Sequence, residues 1–414
     1  MAHPFGASNA IDFHTIARDD GTGNYPGSWD DASGTGNMNA AGSHADPVCY
    51  TRSGTADGNV YYSFNVTLKS AVPLTSNNSL YIVEPIDVDT GLVLGKGYAL
   101  PNDAARTLTA EFTSATYARL VSYVDRGFLD VQWLVSPDNG VTWTNAGNTS
   151  DKVYVLNADP YGLSNGDVAL NSSGNADPTA PVAPLLETVI DIGCRSAIGQ
   201  TASVAILNAV WSAFAAPASG PPNVVDASNR TMSYWGAHSG PSATVNADFF
   251  TVAGLCKNDD GRCQSWAQLL VAVLAAQGIG ARQVVITPKS YESLTYSQMM
   301  NAQTFDATAL PAQGNAKPAT SLANHAVVTL VGADAALAPF TIFDPSYGKK
   351  YAPAAGQTTF LGAEQAWETA TAEDIVYSSA DGLTVPYLKV PVTPAVVTGS
   401  WNPFSFTNIQ GVSI

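Results

Sequence analysis

Asp259-Asp260-Gly261-Arg262-Cys263-Gln264-Ser265-Trp266-Ala267-Gln268-Leu269-Leu270-Val271-Ala272-Val273-Leu274-Ala275-Ala276-Gln277-Gly278 is the stretch that decides how the second half of this chain folds. From Cys263 onward, apolar residues fall at Trp266, Ala267, Leu269, Leu270, Val273, Leu274 and Ala276. This is the i, i+3, i+4, i+7 recurrence of a helix with one buried face. Asp259 and Asp260 suit a helix N-terminus, and Gly278 and Gly280 end the run. Cys263 therefore falls in the first turn, where unpaired backbone N–H groups and the helix dipole favour an anion. A thiolate is stabilised in such a place, with Arg262 beside it. The same N–H groups can hold an oxyanion. A lone cysteine on an apolar helix is more often a small buried side chain than a nucleophile. The decision rests on what the rest of the chain supplies.

The run Asn324-His325-Ala326-Val327-Val328-Thr329-Leu330-Val331 reads as a strand opening at the histidine. Phe340-Thr341-Ile342-Phe343-Asp344 reads as a strand closing at the aspartate, and Pro345 ends it. Gly332-Ala333-Asp334-Ala335-Ala336, between them, has turn composition. In an antiparallel hairpin the first residue of one strand faces the last residue of the next. His325 and Asp344 stand almost equidistant from the middle of the turn, so the pairing predicts an imidazole beside a carboxylate. A carboxylate on one ring nitrogen fixes the tautomer and turns the other nitrogen toward a nucleophile.

These segments resemble the transglutaminase-like cysteine superfamily. The resemblance rests on Gly261-Arg262-Cys263-Gln264-Ser265-Trp266-Ala267, His325-Ala326 and Asp344-Pro345, in that order. Ala275-Ala276-Gln277-Gly278-Ile279-Gly280-Ala281-Arg282-Gln283-Val284-Val285 is similar to that family's helix end and next strand, and Asp344-Pro345-Ser346-Tyr347-Gly348 to its third motif. The likeness covers residues 183–380. It implies a papain-like α+β core with a Cys-His-Asp triad: Cys263 the nucleophile, His325 base and then acid, Asp344 the residue orienting His325. The family places an oxyanion-donating side chain upstream of the cysteine. Trp235, in Tyr234-Trp235-Gly236, is the candidate here, with Gln264 and Tyr347 as further oxyanion or substrate-binding candidates. The segment 288–323 is long for a connection between core strands, and long connections are often lids or binding loops.

The chain has 414 residues, enough for two domains. It carries 18 basic and 34 acidic residues, for a net charge of −16. That acidity argues against nucleic acid and anionic membranes as partners. Residues 196–225 and 264–281 carry no charge but contain Gln, Ser or Asn and glycine, so amphipathic buried helices fit them better than a membrane span. Cys49, Cys194, Cys256 and Cys263 are too few and scattered for a disulfide framework. Cys194 belongs to an apolar helical face with Leu185, Leu186, Val189 and Ile192. Asp30-Asp31 and Asp87-Val88-Asp89 match no complete calcium loop, and no zinc spacing occurs, so neither a metal nor a cofactor is expected. The composition, low in charge and rich in Ser, Thr, Asn, Gly and Ala, suggests an extracellular or periplasmic protein. Met1-Ala2-His3-Pro4-Phe5-Gly6 does not read as a signal peptide.

The first half differs in pattern. Residues 1–45 read as an extended leader. Strands are expected at Val60–Val66, Leu80–Val83, Gly91–Leu100, Thr107–Phe112, Arg119–Val124 and Leu129–Val135. Their spacing suggests an all-β, immunoglobulin-like sandwich over 46–160. Ser136-Pro137-Asp138-Asn139-Gly140-Val141-Thr142-Trp143 matches an Asp-box pattern and predicts a hairpin turn. Residues 161–182, rich in Asn, Gly, Ser and Pro, read as a linker. The catalytic domain is expected over 183–395 and a tail over 396–414. The functional expectation is cysteine-dependent acyl transfer on an amide of a protein or peptide substrate, with hydrolysis demanding least of the site. The alternatives are a cross-linking transglutaminase, and an attachment or assembly protein whose transglutaminase-like domain is idle.

Overall fold

The computed structural model describes residues 16–19, 21, 45–52, 63–69, 80–99, 101–102, 107–113, 121–235, 247–289, 296–302, 311–316, 321–353, 358–379, 388–391 and 404–408. Most of the expected leader lies outside these residues. The chain is a multidomain α+β protein of two compact units. One comprises 1–159 with 183–202, the other 160–182 with 203–414.

Besides a parallel pair, Ile16–Ala17 with Leu185–Leu186, the described strands of the first unit form two sheets. The larger has the order Ala45–Thr51, Thr144–Leu156, Asp125–Ser136, Tyr81–Asp87, Gly97–Ala99, with Ala45–Thr51 parallel to its neighbour and the other pairs antiparallel. The smaller comprises Ser63–Lys69, Thr107–Thr113 and Pro101–Asn102. Alternation shows why the long strand forms: Leu129, Val131, Trp133 and Val135 are buried, with half-buried residues between them. The Asp-box turn joins Asp125–Ser136 to Thr144–Leu156. Asp138 accepts from Thr142 N at 2.8 Å and from its hydroxyl at 2.6 Å, while Ser136 Oγ accepts from Gly140 N at 2.7 Å. The strand expected at Arg119–Val124 does not form over its described part, 121–124, and pairing starts at Asp125.

Helix α1, Glu187–Ser196, belongs to this first unit, which is therefore not all-β. Its acids explain the attachment. Buried Asp191 pairs with Arg126 and with Arg195, and accepts from Tyr154 Oη at 3.0 Å. Lys152 Nζ lies 2.8 Å from Glu187 Oε1, and Cys194 Sγ donates to Val155 O at 3.6 Å.

The expected linker 161–182 is built into the second unit. Several of its polar side chains cap its own turns. Asn171 Oδ1 accepts from Ser173 N and Asn175 N, and Asp177 Oδ1 from Thr179 N. Asp167 Oδ1 accepts from Gln283 N at 2.6 Å, tying the hairpin Leu163–Ser164/Asp167–Val168 to the core.

The centre of the second unit is an antiparallel sheet with the order Lys349–Tyr351, Ile342–Asp344, His325–Leu330, Ala281–Pro288, Phe404–Thr407. Phe404–Thr407, expected in a tail, is thus an edge strand whose Phe404 and Phe406 reach the core. Helix α2 is Ser203–Phe214, α3 is Val252–Asn258, and α4 is Cys263–Ala276. Helix α4 packs on Ala281–Pro288 and His325–Leu330, and Gln264 is its one residue that is not buried. A second sheet orders Ser321–Leu322, Tyr296–Ala302, Ala372–Ser379, Leu388–Pro391. Helix α5, Phe360–Thr371, was not anticipated from the sequence. Among the described residues, no helix is long and apolar enough to cross a membrane.

Candidate active site

Three element ends converge. Cys263 is the first residue of α4, His325 the first of its strand, and Asp344 the last of its strand. The start of α4 is fixed locally. Ser265 Oγ accepts from Arg262 N at 3.0 Å and donates to Arg262 O at 2.9 Å, closing the first turn. Two residues earlier, Asp260–Gly261 pairs in parallel with Ser233–Tyr234, setting Tyr234 beside Gly261. A β-carbon on Gly261 would come 2.2 Å from Ser265 Oγ, so this close approach requires glycine.

His325 Nε2 and Asp344 Oδ2 are 2.9 Å apart, and both side chains have 0% exposure. They are not directly opposite, as the sequence reading had them. Val328 pairs with Phe343, so the register sets Asp344 opposite Val327. His325 lies two residues along, hence on the same face, and the pair meets on the diagonal. The connection accounts for the offset: it is a 3₁₀ turn, Gly332–Leu337, with further irregular residues after it.

The Cys263 thiol lies against the same ring. Nδ1 is the buried nitrogen left for it. Burial pulls the His325 pKa down. The charge and hydrogen bond of Asp344, then the hydrogen bond and charge of Cys263, outweigh it and push the pKa up to about 10. Cys263 itself is 6% exposed. Asp344 is further held by Tyr347 N, 3.3 Å from Oδ1, and by Trp367 Nε1, 3.4 Å from Oδ2. The Trp367 ring stacks on His325 at 5.9 Å, and the Tyr347 ring lies 5.5 Å from it.

The other candidates separate. Tyr347 is in the site. Gln264 is half-buried on the first turn of α4. Trp235 lies beside the head of α4. Its backbone is left-handed, with φ 57°, its N–H donates to Gly261 O at 3.0 Å, and its ring lies under the Arg262 guanidinium at 3.9 Å. Two phenols lie within electrostatic reach of the thiol, Tyr347 and the neighbour of Trp235, Tyr234. Burial first, and then the charges of Tyr347, Cys263 and Asp344, raise the Tyr234 pKa well above the usual phenol value. Burial likewise raises Tyr347. Both hydroxyls are therefore neutral donors.

Sequence reasoning missed Tyr234 and Trp367. The parallel bridge that brings Tyr234 to Gly261 is two residues long and leaves no periodicity to read. Trp367 had a signal: Phe360, Ala363 and Trp367 repeat at helical spacing behind Thr359.

No protein-family model matches the chain, and no curated protein matches it. Among solved structures the chain is similar to a red sea bream transglutaminase, at 10% identity and a TM-score of 0.31. The match covers 85% of this chain and 61% of that one, so this chain spans less than two thirds of that protein's length.

Among the described residues, no group of three or more His, Cys, Asp and Glu is placed to hold a metal ion.

Proposed function

We propose that the second unit is a cysteine-dependent acyl-transfer enzyme acting on an amide of a protein or peptide. The observation that carries this reading is the His325 imidazole, held by Asp344 through Nε2 with the Cys263 thiol against the ring. A raised imidazole pKa beside a thiol favours the thiolate–imidazolium pair, the nucleophilic form.

In the first step Cys263 Sγ attacks the amide carbonyl carbon and the carbonyl oxygen takes the negative charge. The N–H groups at the head of α4, the Tyr234 hydroxyl and the Trp235 indole N–H are the candidate donors to that oxygen. His325 then gives its proton to the leaving nitrogen, the C–N bond breaks, and a thioester remains. In the second step His325 takes a proton from the acceptor as it attacks the thioester. Water gives a carboxylic acid and an amine gives a new amide, each regenerating the thiol. Throughout, Asp344 holds the ring and stabilises the imidazolium.

Hydrolysis is the leading outcome because it needs no second binding site. The burial of all three side chains favours the other reading, since a site that excludes water protects a thioester for an amine. The immunoglobulin-like character of the first unit is part of the same proposal, supported by its two sheets. We also place the protein in an extracellular or periplasmic setting, on composition. A glutamine-containing peptide library, offered with and without a primary amine, tests the activity. Cys263-dependent acid alone indicates a hydrolase, and amine incorporation a transferase. No Cys263-dependent product with either refutes both and leaves the idle-domain alternative.

A further inference from the structure

Residues 311–316 are a described part of the long connection 288–323. Gln313 there is fully buried, and every hydrogen-bonding group it has is used. Nε2 donates to Phe214 O at 2.7 Å and to Pro345 O at 2.8 Å. Oε1 accepts from Val224 N at 3.3 Å. The backbone N–H donates to Ser346 O at 2.9 Å, and the backbone carbonyl accepts from Tyr234 N at 2.7 Å. Its neighbours lock the same place. Asn315 Nδ2 donates to Tyr234 O at 3.0 Å and Trp235 O at 2.7 Å. Gly314 has φ 56°, and a β-carbon there would come 2.6 Å from Met232 O.

These bonds are not spread evenly over the unit. Pro345 and Ser346 directly follow Asp344, and Tyr234 is, with Tyr347, one of two phenols within electrostatic reach of Cys263. We propose that Gln313 is a positioning residue: its amide and backbone clamp the turn after Asp344 to the Tyr234 strand, fixing carboxylate and phenol relative to each other. Its catalytic meaning rests on the reading given under Proposed function. Glutamine suits the task because its two N–H groups meet two carbonyls while its oxygen accepts from a third segment. Glutamate has the same shape but, when ionised, sets an oxygen against those carbonyls. Asparagine keeps the amide but is one methylene short.

The test uses the full chain and three variants, Gln313→Glu, Gln313→Met and Gln313→Asn, each checked for folding by circular dichroism. Two readouts follow: the imidazole titration of His325 by NMR, assigned against His325→Gln, and iodoacetamide alkylation of Cys263 across pH, with Cys263→Ala as blank. The groups facing the ring are Asp344 on the neighbouring strand and Cys263 on α4, with Tyr347 packed on it. A loosened Asp344 turn lowers the His325 midpoint by at least about one unit. The inference is overturned if no folded variant moves the midpoint, whether the variants fold and match the wild type or fail to fold at all. The wild type is measured first. If its alkylation at pH 6 is slow or indifferent to His325, the acyl-transfer reading fails. The His325 midpoints still decide whether Gln313 holds the Asp344 turn.

Discussion

Asp344 reaches His325 across a diagonal of the sheet, Oδ2 to Nε2 at 2.9 Å, although the register sets Asp344 opposite Val327. A diagonal contact depends on side-chain reach as well as on pairing, and Trp367 and the Tyr347 N–H hold the carboxylate in that reach.

Asp344→Asn keeps the shape and removes the charge that most raises the His325 pKa. The expected outcome is a lower imidazole midpoint and a loss of kcat/KM of about 10²–10⁴. Titration of His325 by NMR and steady-state kinetics check the two halves. An unchanged midpoint refutes the electrostatic account.

Cys263 is expected to react with iodoacetamide at pH 6 faster than a free thiol, and His325→Ala to abolish the advantage. Cys49 does not interfere, since burial and then the charge of Cys194 raise its pKa well above the usual thiol value. Equal rates for Cys263 and a model thiol at pH 6 would falsify the ion-pair mechanism.

Folding raises His325 from 6.5 to about 10, so above pH 6.5 the folded chain keeps a proton that the unfolded chain has lost. The stability from this group is complete below pH 6.5. It falls by up to about 1.4 kcal/mol per pH unit until the folded ring deprotonates near pH 10. Urea unfolding of Cys263→Ala and of Cys263→Ala/His325→Gln at pH 6, 8 and 10, with no thiol to exchange the proton, measures this as a shrinking gap. A constant gap contradicts it.

Tyr234→Phe keeps the ring contacts, 5.6 Å to Tyr347 and 6.0 Å to Trp235, and removes the hydroxyl. If the phenol serves the oxyanion, kcat falls by about 10²–10³ while KM and the alkylation rate hold. Equal losses in kcat and alkylation would instead mark a packing role.

Gly348 has φ 62°, and a β-carbon there would lie 2.5 Å from Ala216 N and Phe214 O. Gly348→Ala forces backbone atoms apart in the turn after Asp344. It is expected to cost about 2 kcal/mol or more, read as a lower urea midpoint at unchanged slope.

Cys263, His325 and Asp344 could be read from the sequence because each sits at the boundary of an element with strong periodicity. The details set by tertiary packing were hidden. The His325–Asp344 offset arises in an irregular connection that strand patterns do not encode. Residues 161–182 look like a linker by composition, yet Asn171 and Asp177 cap their own turns and Asp167 anchors the hairpin to Gln283. Phe404–Thr407 is too short to read as a strand until Ala281–Pro288 is there to pair with it. Helix α1 was recognisable as a helix, but its allegiance was not, because that depends on Arg126 and Tyr154 far away in sequence.

Helix α4 has no dry-to-wet boundary along its length: beyond Gln264, every residue is enclosed. Interiors packed at crystal density tolerate little change in volume. A helix of this kind has no surface on which new preferences can accumulate. Altered substrate choice in related chains is therefore expected to arise in the segments around its first turn, with the helix itself left alone.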